Sequence, residues 1–190
     1  MSDALPPLPP ALDALRAHVL AHSVRRGEFR LKSGATSSWF LDTKQTACRP
    51  EGILLVADAA LAIIPDEATA IGGLTMGADP MAYGIAAVAA TKGRMLRSFS
   101  VRKEAKGHGV TGRVAGALEP GDRVVITEDT TTRGTSLMEA VEVVREFGAE
   151  PVLVTVIVDR GGTCAALCEA AGVAYHPLLT AADLGFVAGT

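Results

Sequence analysis

From Glu51 to Leu179 the chain alternates between short apolar runs and longer helical patterns, and this alternation leaves few folds open. EGILLVADAALAIIP reads as a helix that Pro65 ends, TAIGG as a short strand running into glycines, and PMAYGIAAVAATKG as a helix with Pro80 at its start. RMLRSFSV and DRVVITED read as strands, the second ending in two carboxylates, and GTSLMEAVEVVREFG as a helix closed by Gly148. PVLVTVIVD, GTCAALCEAAG and VAYHPLL continue as strand, helix and strand. Apolar strands interleaved with helices indicate an α/β fold with a mainly parallel central sheet flanked by helices. In such sheets, ligands bind beyond the carboxyl ends of the strands. Three predicted ends carry glycine or polar clusters: Gly72-Gly73, Glu128-Asp129 and Asp159-Arg160.

The chain has 190 residues, 48% hydrophobic and 21% charged, enough for one core without metal or disulfide staples. Residues 1–10 hold four prolines and read as a flexible tail, leaving 11–190 as a single domain. Residues 11–24 place Leu12, Leu15, Val19 and Leu20 on one helical face. His18 and His22 stand at i, i+4 on that helix and would suit a metal; no third ligand is near in sequence, so a solvated pair is expected. No apolar run reaches the roughly 20 residues of a membrane span, and the start lacks the features of a secretory signal. A net charge of −3 argues against a general nucleic-acid binder. Three cysteines without zinc or redox spacing read as reduced thiols in a cytoplasmic protein.

The segment Val124–Ser136, VVITEDTTTRGTS, carries the strongest chemistry. A buried strand delivers Glu128 and Asp129 to the sheet edge, and a Thr/Gly/Ser run then opens a helix. The first N–H groups of a helix lack internal partners and its dipole is positive there, so this turn favours a phosphate. Thr131, Thr132, Thr135 and Ser136 add hydroxyl donors, while Gly134 lets backbone come close. Ionised carboxylates only accept, which suits a sugar diol or a hydrated cation. The loop therefore describes a ribose-phosphate site; without GxxxxGK it is not a Walker loop.

Three further segments add to it. VRKEAKGHGVTGR, from Val101 to Arg113, is basic and glycine-rich, as expected of a mobile loop that folds over a polyanion. FRLKSGATSSWFLD, from Phe29 to Asp42, reads as a strand, a turn at Ser33-Gly34, and a second strand bearing exposed aromatics. IVDRGG places Arg160 just past a strand end, where a guanidinium fork matches a carboxylate.

Together, from Phe29 to Leu184, these segments resemble the orotate phosphoribosyltransferases of the type I phosphoribosyltransferase superfamily. VVITEDTTTRGTS resembles the superfamily's phosphoribosyl pyrophosphate (PRPP) motif, RKEAKGHG the flexible catalytic loop, and FRLKSG with Trp39 and Phe40 the small N-terminal hood. The resemblance implies the type I fold and transfer of phosphoribosyl from PRPP to orotate, giving orotidine 5′-monophosphate and pyrophosphate. It implies PRPP binding by residues 128–136 and by Arg102, Lys103, Lys106 and His108. Those four, with Asp129, are the expected catalytic residues, and Lys32, Trp39, Phe40, Thr132 and Arg160 the orotate-binding ones. Mg2+ is expected on PRPP and pyrophosphate oxygens, with no direct protein ligand. A homodimer sharing loop 102–112 across its interface is also implied, with no nucleic-acid or membrane partner. One departure stands out: GGLTMGADP lacks the lysine many members carry there, and the backbone N–H groups of Met76, Gly77 and Ala78 are expected to form an anion nest instead. The alternatives are another type I enzyme, using hypoxanthine or uracil, and a non-catalytic PRPP-sensing regulator.

Overall fold

The computed structural model describes residues 5–30, 36–106 and 112–188. Helix α1 (Pro10–His22) leads into the antiparallel pair β1 (Val24–Arg30) and β2 (Thr36–Leu41), then into the short α2 (Lys44–Ala47) and α3 (Pro50–Leu61). The alternating region follows as β3 (Ala70–Leu74), α4 (Asp79–Thr91), β4 (Arg97–Lys106), β5 (Gly112–Gly116), β6 (Arg123–Thr131), α5 (Thr135–Glu146), β7 (Glu150–Asp159) and α6 (Cys164–Ala170). The expected last strand divides at His176-Pro177 into two short ones, β8 (Ala174–Tyr175) and β9 (Leu179–Thr180), both paired with β7. Proline has no N–H for a ladder, which accounts for the break.

The central sheet runs β5-β4-β3-β6-β7-β8, parallel except for β5, which returns antiparallel to β4. Both faces are covered, as a parallel sheet requires. Alternation along β6 sends Val125 to one face and Val124 and Ile126 to the other. On the first face Val125, Ile71 and Ile157 pack with α1, α3, α4 and Trp39 of β2. On the second, Val124, Ile126 and Val154 pack with α5 and α6. Residues 5–9 carry no helix or strand, yet Leu8 packs against the core and the Pro6 carbonyl accepts from Arg16 at 2.5 Å.

The chain winds outward from β3 to β4 on one side, then returns to lay β6 and β7 on the other. The switch point therefore falls between β3 and β6, the crevice where open α/β sheets take ligands.

Candidate active site

Buried on both sides, β6 carries Glu128 and Asp129 to this crevice, where they remain only 9% and 5% exposed. Asp129 is held by residues that no motif announced: Lys44 Nζ donates to its Oδ2 at 2.7 Å and Thr43 Oγ1 to the same oxygen at 3.0 Å. Burial pulls the Lys44 ammonium down, but the hydrogen bond and charge of Asp129 outweigh it and its pKa rises. Glu128 is different. Burial, then the neighbouring Asp129 charge, pushes its carboxyl up to about 8. The upward shift favours the neutral form of Glu128, so the two acids differ: Asp129 is the salt-bridged carboxylate, and Glu128 is the one whose charge burial opposes. Gly77 leaves the space it needs: a Cβ there would fall 1.6 Å from Glu128 Oε1.

The turn into α5 sorts the expected donors. Thr130 Oγ1 donates to the Val158 carbonyl at 3.0 Å, and Thr131 Oγ1 accepts from the Gly134 N–H at 3.1 Å, so both hydroxyls build the turn. Gly134 stands in the left-handed region (φ 79°), and a Cβ there would lie 2.9 Å from Cys164 Sγ; only glycine meets both conditions without strain. Thr132, Arg133 and Thr135 are exposed and Ser136 half-buried. No side chain caps α5, which leaves its first N–H groups to a ligand.

Across the crevice, the loop after β3 is fixed through Asp79, which accepts from Thr75 Oγ1 at 2.7 Å and Ser100 Oγ at 2.6 Å. The Thr75–Met76 peptide is cis. The expected anion nest is smaller than the spacing suggested, because the Ala78 N–H turns inward to the Leu74 carbonyl at 3.3 Å. Met76 and Gly77 remain as its candidate donors.

The basic segment is largely strand rather than loop. β3 ends at Leu74 opposite Val101, but β4 continues to Lys106 and pairs with Gly112 of β5, so the hairpin projects beyond the sheet edge that holds the acids. β-Branched Val101 and Val114 pair at its base, and the register shifts between them and Lys106. Arg102 is half-buried, its Nη1 donating to the Gly112 carbonyl at 3.2 Å, and Lys103 is exposed. His108 lies outside the described residues, and of Lys106 only the backbone is described. Among the described residues no hydrogen bond or ion pair joins the hairpin to Glu128 or Asp129. A groove of about 540 Å³ between β5 and α5 includes Arg102 but neither acid, so it is not the sugar site.

The hood is the β1–β2 pair, and its aromatics differ from expectation. Successive strand residues face opposite ways. Phe40 is 40% exposed and packs against Phe29, whereas Trp39 is fully buried, stacked on Phe186 at 4.1 Å and 2°. The Arg160 guanidinium lies 4.5 Å from the Trp39 ring centroid, a cation–π contact tying the hood to the end of β7. Burial lowers the Arg160 pKa, and the Arg160 backbone N–H donates to the Thr131 carbonyl at 2.9 Å, beside the turn into α5. Lys32 lies outside the described residues.

No protein-family model matches the chain. Curated relatives do. It is 44% identical over 155 residues to the orotate phosphoribosyltransferase of Streptomyces coelicolor, covering 80% of this chain and 85% of that one. Identity to the Aquifex aeolicus orotate phosphoribosyltransferase is 39% over 157 residues, covering 82% and 86%. The chain belongs to the orotate phosphoribosyltransferases.

The fold agrees with that family: Mycobacterium tuberculosis orotate phosphoribosyltransferase superposes with a TM-score of 0.82 at 35% identity, over 93% of this chain and 100% of that one. Another structure of that enzyme, in complex with 5-phospho-α-D-ribosyl 1-diphosphate, gives 0.78 at 32% identity, with the same coverage. Orotate phosphoribosyltransferases are glycosyltransferase-type enzymes, and this chain shares their architecture. Lys44 and Thr43 were missed because their link to Asp129 spans 85 and 86 residues, a distance no local spacing encodes. No helix among the described residues is long and apolar enough to cross a membrane.

Proposed function

We propose that this chain transfers the phosphoribosyl group of PRPP to N1 of orotate, giving orotidine 5′-monophosphate and pyrophosphate in pyrimidine biosynthesis. One juxtaposition carries the reading: the Glu128–Asp129 pair, the uncapped start of α5 and Arg160 follow one another along the carboxyl edge of β6 and β7. The α5 N-terminus, with Thr132, Thr135 and Ser136, holds the 5′-phosphate. Glu128 and Asp129 hold the ribose hydroxyls, and Asp129 places negative charge near the cationic sugar of the transition state. Lys44 and Thr43 are positioning residues that keep the Asp129 carboxylate aimed. Arg160, braced on Trp39, pairs with the orotate carboxylate, and Thr132 and Lys32 contribute to the same subsite.

Bond cleavage at the anomeric carbon sends an electron pair to pyrophosphate. Arg102, Lys103, Lys106 and His108 meet that charge when the hairpin closes. The carboxylates at the crevice, Asp129 and Asp79, would suit hydrated Mg2+ carried on PRPP. Mg2+ supplies charge neutralisation on the pyrophosphate oxygens. Two chains acting together, with the 102–112 hairpin of each serving the other, fit a hairpin that, among the described residues, makes no hydrogen bond or ion pair with its own acids. Free thiols at Cys48, Cys164 and Cys168 suit the reducing cytoplasm.

The test is loss of orotate absorbance on adding PRPP and Mg2+ to the purified protein. Turnover with orotate but not with uracil or hypoxanthine is expected. Turnover with either other base, or PRPP binding without turnover, would overturn the reading.

A further inference from the structure

The structure supplies the third ligand that the histidine spacing on α1 lacked. Glu51, in the first turn of α3, faces His18 and His22 at the last turn of α1, and one ligand atom from each lies within 4.8 Å of the other two. The His18 side chain is 92% buried (8% exposed), and its Nε2 has no hydrogen-bond partner among the described residues. Glu51 Oε1 approaches that nitrogen only to 3.8 Å, beyond hydrogen-bond range. The other ring nitrogen, Nδ1, lies 3.2 Å from Thr46 Oγ1, which in turn is 2.7 Å from Ser23 Oγ. With Nδ1–H donating to Thr46, Nε2 is left as the ligating atom, 3.8 Å from Glu51 Oε1, the arrangement in which an outer partner fixes a histidine ligand.

We propose that His18, His22 and Glu51 form a metal site for a zinc-type divalent ion, tying the end of α1 to the start of α3. Two imidazoles and one carboxylate favour zinc and its neighbours over magnesium. Tetrahedral bonds near 2.0–2.1 Å separate ligand atoms by about 3.4 Å, so a modest closing of the exposed His22 and Glu51 side chains completes the geometry. Burial and the adjacent His22 lower the His18 pKa, which favours the neutral ring that ligation demands. Arg49 is the one charge on α3's threshold that opposes an ion. The site shares no residue with the crevice, but Thr46, which orients His18, stands on the same short helix as Lys44, which holds Asp129. An ion here would stiffen the support beneath Asp129.

Calorimetric titration of the chelator-stripped full-length protein with ZnCl2, without orotate or PRPP, tests this. One equivalent should bind per chain. His22→Gln and Glu51→Gln, both surface substitutions, should each weaken it by about tenfold or more, the scale on which even outer partners act. Zinc should raise the melting temperature of the parent protein and leave both variants unmoved. Cys48→Ser should bind as the parent does, since it removes the exposed thiol. No binding, equal affinity in parent and both variants, or loss of binding in Cys48→Ser would overturn the proposal.

Discussion

Arg160 shows how one side chain acquires a role from its surroundings. A surface arginine at a turn selects nothing. Here the Trp39 face beneath it and the partial burial around it restrict its rotamers, so its donors are presented in a fixed plane. Arg160→Ala should raise the orotate KM about 10- to 100-fold, the 1.5–3 kcal/mol typical of a charge-assisted bond, while moving the PRPP KM by less than about threefold. Arg160→Lys should not rescue it, because an ammonium lacks the planar fork. Steady-state kinetics with each substrate varied in turn would check this; equal losses for the two substrates would refute the assignment. The same contact explains why Trp39 and Phe40 do not act as a pair: adjacent strand residues point apart, and the tryptophan went inward because Phe186 offers it a stacking partner.

At the scale of the element, the basic segment matters as a hairpin. β4 and β5 pair regularly from Phe99 to Val101, the register shifts beyond Val101, and pairing resumes where Lys106 meets Gly112, so Arg102 and Lys103 ride on an irregular arm past the end of the β3 pairing. Arg113 anchors the base, donating to the Arg102 carbonyl at 2.9 Å and forming an ion pair with Glu139 of α5. Closing such an arm over the crevice would bring several charges to pyrophosphate at once. Lys103→Ala should lower kcat about 100-fold, as for a lost oxyanion donor, and leave orotate affinity within a few-fold. Rates alongside a direct binding titration would separate the two effects, and an unchanged kcat would remove the arm from the chemistry.

For the whole molecule, Glu128 links the site to stability. Its folded pKa, about 8, exceeds the ordinary carboxylate value of 4.5, so between these values the folded state binds more protons than the unfolded one. Its contribution is complete below about pH 4.5 and is lost as pH rises through 8. Glu128→Gln cannot ionise and escapes that loss. Relative to the parent protein, it should gain about 2 kcal/mol or more between pH 5 and pH 9, since a tenfold change in proton affinity is worth roughly 1.4 kcal/mol. Denaturant unfolding of both proteins across that range would reveal it; parallel curves would mean that Glu128 is already ionised at pH 5. A site that costs stability when fully charged is common where function, not packing, chose the residues.

The amino-acid order alone determined the α/β class, the buried strand that presents Glu128 and Asp129, the turn at Gly134 that opens a helix, and Arg160 at a strand end. All of these rest on periodicity or on residues adjacent in the chain, where local sterics and burial decide. Tertiary structure decided what depends on distant segments meeting: Lys44 and Thr43 on Asp129, Trp39 beneath Arg160, the inward turn of the Ala78 N–H, and Glu51 opposite His18 and His22. It also decided the upward shift of the Glu128 pKa, because a carboxyl's affinity for its proton is set by how much water and which neighbours the folded chain leaves around it.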